Sequence, residues 1–131
     1  MLPSQQKEPL ERDPMPNRSF EEIAADFFEV SGRHFLVVVD RLSGYPIVEE
    51  FHGAISTEKT MDVLLKIFTM FGNPVRIFTD GGLQFTSQMM QDFLVRWGVR
   101  HRLSIATYPQ SNGLAESAVK TMKHQIGRAH V

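Results

Sequence analysis

The hydrophobic pattern has two periods, and the change between them divides the chain. Residues 23–30 (IAADFFEV) and 34–40 (HFLVVVD) are rich in β-branched and aromatic residues and flank SGR, a hairpin signal. YPIVEEF (45–51) follows the turn RLSG and reads as a third strand, with Pro46 near its start fitting a sheet edge. From Ser56 the spacing becomes helical. Ser56 or Thr57 can cap a helix whose apolar positions are Met61, Leu64, Leu65, Phe68 and Phe71, and Gly72 stops it. PVRIFTD (74–80) returns to strand, with Asp80 at its carboxyl end, and GGLQF reads as loop. Thr86 or Ser87 caps a second helix with Met90, Phe93, Leu94 and Trp97 on one face, all read as core, and Gly98 after it. VRHRLSI (99–105) is a fifth strand, ATYPQSNG a loop, and a last helix starts near Leu114.

The order βββαβαβα predicts an α/β fold. Three sequential strands favour an antiparallel meander, and the helical crossovers that follow favour parallel additions. The expected result is a five-stranded mixed sheet flanked by helices, spanning residues 19–131. Residues 1–18 carry four prolines without periodicity and read as an extended arm or linker. The last helix reaches KHQIGRAHV without a clear stop signal, so the domain is expected to be incomplete at its C-terminal end.

At 131 residues the chain suits one domain with one core. No run of 18 apolar residues and no signal peptide point to a membrane or the secretory path. The absence of cysteine excludes disulfides and cysteine-ligated zinc within this chain. The net charge of −1 hides an asymmetry. Residues 96–131 hold Arg96, Arg100, Arg102, Lys120, Lys123 and Arg128 against Glu116 alone. Such a stretch is either a solvated basic face or a phosphate-binding surface.

Three carboxylates stand out. Asp26 lies inside the first strand among apolar neighbours, where a charge is costly unless it is paired or binds a metal. Asp80 ends the fourth strand before Gly81 and Gly82, where ligands of open α/β sheets gather. Glu116 would arrive from the last helix. Clustered acids repel and need a cation, and oxygen-only donors select Mg²⁺ or Mn²⁺. Simpler roles also fit each residue: a strand aspartate capping backbone groups, a turn aspartate, and a first-turn glutamate favoured by the helix dipole. Asp40, before RLSG, reads as a turn former. The five histidines, His101 among them, show no metal-ligand spacing and receive no role.

These motifs in this order resemble the catalytic core of retroviral and gypsy-class retrotransposon integrases. In that family an aspartate sits on the first strand, a second in a T-D-x-G loop, and a glutamate follows 35 intervening residues later. Here Asp26 lies in ADFFEV, Asp80 in IFTDGGLQFTS and Glu116 in YPQSNGLAES, with 35 residues between the last two. VVVDRLSGYP and FGNPVRIFTD also match the gypsy-class pattern, and the likeness runs from PSQQKEPL to about Lys123. Gly81 stands where many relatives have Asn.

The resemblance implies a ribonuclease H-like fold and a polynucleotidyl transferase that trims element DNA ends and joins them to target DNA with two metal ions. Asp26, Asp80 and Glu116 would be both catalytic residues and ligands of Mg²⁺ or Mn²⁺. Tyr108, Gln110, Ser111 and Asn112 would form the loop that touches DNA ends, and Lys120 and Lys123 would contact DNA. It further implies homo-oligomerisation, no membrane association and action in the nucleus. The family's zinc-binding domain is absent from this cysteine-free chain. The competing readings are a nuclease of the same fold and a non-catalytic, nucleic-acid-binding remnant of an element.

Overall fold

The computed structural model describes residues 17–103, Ser117 and 120–126. Five strands form one sheet in the order β3-β2-β1-β4-β5: β1 (Glu22–Val30), β2 (Arg33–Asp40), β3 (Pro46–Phe51), β4 (Arg76–Thr79) and β5 (Arg100–Leu103). The first three pair antiparallel, while β4 joins β1 and β5 joins β4 in parallel. This is the mixed arrangement expected from the element order, with Pro46 on an edge strand, where its missing N–H costs no ladder bond.

Local chemistry explains the joints. The β1–β2 hairpin closes at the pair Val30↔Arg33, leaving a two-residue turn. Ser31 and Gly32 both take positive φ (54° and 77°), the geometry that matches the twist of the flanking strands. Helix α1 (Thr57–Phe71) is capped by Ser56, whose side chain accepts from the Lys59 N–H at 3.1 Å. It ends at Gly72 (φ 91°), whose N–H bonds to the Phe68 carbonyl at 2.8 Å. Helix α3 (Gln88–Arg96) starts on a Ser87 cap in the same way.

Two expectations need correction. GGLQF is not all loop: Leu83–Thr86 form a single helical turn, α2, as the Gly82 carbonyl accepts the N–H groups of Phe85 and Thr86. The turn drives Phe85 into the core, and four residues are too few to show a helical period. Trp97 is not core: α3 ends one residue earlier, and its side chain stays 39% exposed while its ring lies 6.4 Å from that of Phe93.

The sheet separates two apolar layers because side chains alternate across it. Ile23, Ala25, Leu36, Val38 and Ile77 pack under the helices with Leu64, Phe68, Phe85, Met90 and Leu94. Ala24, Phe28, Phe35, Val37, Val39 and Phe78 form the second layer, against which Met122 and Ile126 of the helical residues 120–126 pack. Asp26 belongs by alternation to this second face, and it is half-buried.

The amino end of β1 holds a buried carboxylate that sequence reasoning passed over. Glu22 is 1% exposed, and its two oxygens each accept from one arginine, Arg41 and Arg76, at 2.5 Å. Arg41 also stacks over the Phe78 ring at 4.7 Å. Beside this cluster Asp40, fully buried, accepts the Phe20 N–H at 2.8 Å and the Ser43 hydroxyl at 2.7 Å, as well as the N–H groups of Leu42 and Ser43. Its reading as a turn former is borne out.

Removing one partner of a buried ion pair leaves the others desolvated and unpaired, which typically costs about 3–5 kcal/mol. Glu22→Ala should therefore lower the unfolding free energy by roughly that amount. Urea denaturation at neutral pH measures it, and a loss well under 1 kcal/mol would show that Arg41 and Arg76 find water instead.

Candidate active site

The parallel ladder between β1 and β4 runs through Glu22↔Arg76, Ile23↔Ile77 and Ala24↔Phe78. Continuing that register sets Asp26 level with Asp80, just beyond the last rung, where β4 ends while β1 runs on to Val30 beside β2. Asp80 follows Phe78 by two positions, so alternation gives it the same sheet face as Asp26. The structure thus brings these two acids to the carboxyl end of the parallel β1–β4 ladder.

Asp80 is exposed, and its Oδ1 accepts the Gly82 N–H at 2.9 Å. Its Oδ2 has no partner among the described residues. A Cβ at position 82 would lie 3.1 Å from Oδ1, so glycine lets the backbone close on the carboxylate. No group of three or more His, Asp or Glu residues able to hold a metal occurs among the described residues. The third predicted acid, Glu116, lies outside them, as do Tyr108, Gln110, Ser111 and Asn112. Lys120 and Lys123 are exposed on the helical residues 120–126, whose Met122 and Ile126 turn to the second sheet face.

One set of residues behind Asp80 carried no sequence signal. His101 of β5 pairs in register with Ile77 and faces the helical layer. Its Nε2 lies 2.5 Å from the Thr79 hydroxyl, and its Nδ1 lies 3.0 Å from the Gln91 amide nitrogen. That amide also donates to the Phe85 carbonyl at 2.8 Å, and the Thr79 hydroxyl donates to the Asp80 carbonyl at 2.8 Å. Burial holds the His101 pKa below its usual value. A histidine in a strand has no spacing rule that announces such partners, since they come from two other elements, β4 and α3. A groove of about 540 Å³ opens on its far side, between α3 and β5, lined by Leu94, Val95, Arg100 and Arg102 among others. It does not include Asp26 or Asp80.

A family model for the integrase core domain matches residues 16–109, and the chain belongs to that family. The matched stretch contains Asp26 and Asp80 and stops before Glu116. The chain is 36% identical over 121 residues to K02A2.6 of Caenorhabditis elegans, covering 92% of this chain and 10% of that protein. It is 32% identical over 121 residues to the transposon Tf2-3 polyprotein of Schizosaccharomyces pombe, covering 88% of this chain and 9% of the polyprotein. The chain therefore spans about a tenth of the length of these relatives. Among solved structures, the catalytic core domain of BIV integrase superposes with a TM-score of 0.74 at 17% identity, over 85% of this chain and 72% of the other. A chain of the simian T-cell lymphotropic virus intasome does so with a TM-score of 0.66 at 24% identity, over 84% and 43%. The fold is that of the retroviral integrase core, ribonuclease H-like.

The lowered His101 pKa has a definite pH consequence. A folded pKa below the unfolded value near 6.5 means that the unfolded chain binds the extra proton first. The His101 contribution is complete above the unfolded pKa and is lost as pH falls from there toward the folded one. Denaturant melts at pH 7.5, 6.5 and 5.5 should show falling stability, and His101→Gln should flatten that slope.

Proposed function

We propose that this chain performs the phosphodiester chemistry of DNA integration, with Asp26, Asp80 and Glu116 as its acidic set. The observation that carries this reading is the sorting of carboxylates in the sheet. Glu22 and Asp40 are consumed by arginines and backbone N–H groups at one end. Asp26 and Asp80 end up level at the other, on a single face.

The donor set fits a divalent metal: carboxylate oxygens alone suit Mg²⁺ or Mn²⁺, and Asp80 presents Oδ2 while Gly82 steadies Oδ1. Glu116 would complete the set. The packing of Met122 and Ile126 on the face shared by Asp26 and Asp80 supports this, because Glu116 precedes them in the last predicted helix. When bound, paired divalent ions supply activation of an attacking oxygen and stabilisation of the leaving oxygen of a phosphodiester. The protein's part is to hold those carboxylates together at the carboxyl end of the β1–β4 ladder, and to keep the DNA backbone in place.

Lys120 and Lys123 serve the second task. They are exposed beside the apolar stripe that seats their helix, so they reach solvent, where a phosphate backbone can approach. The 108–112 segment, with Tyr108, Gln110, Ser111 and Asn112, would meet the DNA end. The transposon polyprotein and the viral intasome among the similar proteins support DNA as the partner. Action on chromosomal DNA would put the protein in the nucleus.

Purified chain should catalyse strand transfer, or its reversal on a branched DNA, in the presence of Mn²⁺. Asp80→Asn keeps an oxygen for the Gly82 N–H, so the variant should fold normally and lose this activity. Activity that survives in Asp80→Asn would sink the assignment, and cleavage confined to RNA–DNA hybrids would make the protein a nuclease instead.

Lys120→Ala with Lys123→Ala should weaken binding to unrelated duplexes alike. It should lower the slope of log affinity against log salt by roughly 0.9 per lost phosphate contact. Fluorescence anisotropy across a salt series reads this directly, and an unchanged slope would mean that these lysines do not touch DNA.

A further inference from the structure

We propose that His101 is a positioning residue for Asp80, acting through the Thr79 hydroxyl. The inference rests on the reading of Asp80 as a metal ligand, and it concerns how that carboxylate is aimed.

Donor counting assigns the direction of every bond in the network. The Phe85 carbonyl can only accept, so the nearby Gln91 atom is its amide nitrogen. The second hydrogen of that nitrogen points to His101 Nδ1, which therefore accepts, 3.0 Å away. The imidazole proton then sits on Nε2 and is donated to Thr79 Oγ1. The Asp80 carbonyl can only accept, so Thr79 donates its own hydrogen to it, 2.8 Å away. All four links are satisfied at once only with a neutral imidazole in this tautomer.

The consequence falls on Asp80. Its main-chain carbonyl is fixed from the helical side of the sheet by Thr79. Its carboxylate is fixed from the loop by the Gly82 N–H. Together the two bonds define the peptide plane after Asp80 and the direction of its side chain. Without the first, the peptide at a strand end with no further ladder partner among the described residues can rotate, and the Gly82 bond rotates with it. Thr79 is fully buried, which leaves its hydroxyl no water to replace His101. The components come from α2, α3, β4 and β5, so the helical layer reaches through the sheet to a group on the opposite face.

The test uses Thr79→Val, which keeps the shape and deletes the hydroxyl, Thr79→Ser, which restores it, and His101→Gln, which breaks the network by a different change. Three quantities are read: the Gly82 amide resonance and its hydrogen exchange without metal, the affinity for Mn²⁺ by calorimetry, and thermal stability. Thr79→Val and His101→Gln should each shift the Gly82 amide and speed its exchange. Each should lower Mn²⁺ affinity by about 10–100-fold, the range seen when outer partners of metal ligands are removed. The double variant should be no worse than either single one, and Thr79→Ser should recover both readouts. An unmoved Gly82 amide with undiminished Mn²⁺ affinity, whatever happens to stability, would reduce the network to packing and overturn the proposal. Asp80→Asn is the control for the underlying reading. If it binds Mn²⁺ as tightly as the parent, Asp80 is no ligand and the metal reading fails, a result distinct from a silent Gly82 amide.

Discussion

The short parallel ladder between β1 and β4 is the constraint on which the rest depends. It has only three paired positions, and its first rung is Glu22 opposite Arg76. A pairing this short is weak in hydrogen bonds and could slip by one residue, which would move every side chain of β4 to the other face. The buried Glu22 carboxylate removes that freedom. It needs Arg76 beside it and Arg41 on its other oxygen, and a slipped strand would strand a charge in the interior. The same register that satisfies Glu22 brings Asp26 level with Asp80. Structural and candidate functional acids on β1 are thus two ends of one alignment, four residues apart.

This division also shows how a sheet can carry four acids near its centre without mutual repulsion deciding the fold. Two are neutralised at the amino end of β1, Glu22 by arginines and Asp40 by donated N–H and O–H groups. The other two lie beyond the last rung of the β1–β4 ladder, Asp26 half-buried and Asp80 exposed. A field that would be unfavourable in one cluster becomes tolerable in two.

Much of the fold was legible because it rests on periodicity and punctuation. The strand alternation, the Ser56 and Ser87 caps and the stop at Gly72 are local signals, and each appears where the sequence puts it. Asp26 and Asp80 were singled out by their surroundings in sequence, and the topology brings them together. What was not legible depends on partners distant in the chain. Nothing around Glu22 says that Arg41 and Arg76 will meet it. Nothing around His101 says that Thr79 and Gln91 will flank its ring. Trp97 was misread because a helical stripe predicts a face and not where the helix stops, and α3 stops one residue short. The α2 turn escaped notice because one turn has no period. Glu116 and the 108–112 segment fall outside the described residues, so their place rests on the sequence.

The margins of the sheet have a bearing on solubility. An edge strand exposes a row of unpaired backbone groups on which another chain can polymerise. Here one margin begins with Pro46, which offers no N–H, and carries Glu49 and Glu50 clipped to Lys66 and Arg33. The other reads Arg-His-Arg-Leu over its described residues. Repeated positive charge at one border, and proline with tethered ion pairs at the other, make both poor templates for fibril growth. Both described borders of the sheet are thus guarded against edge-to-edge pairing with another chain.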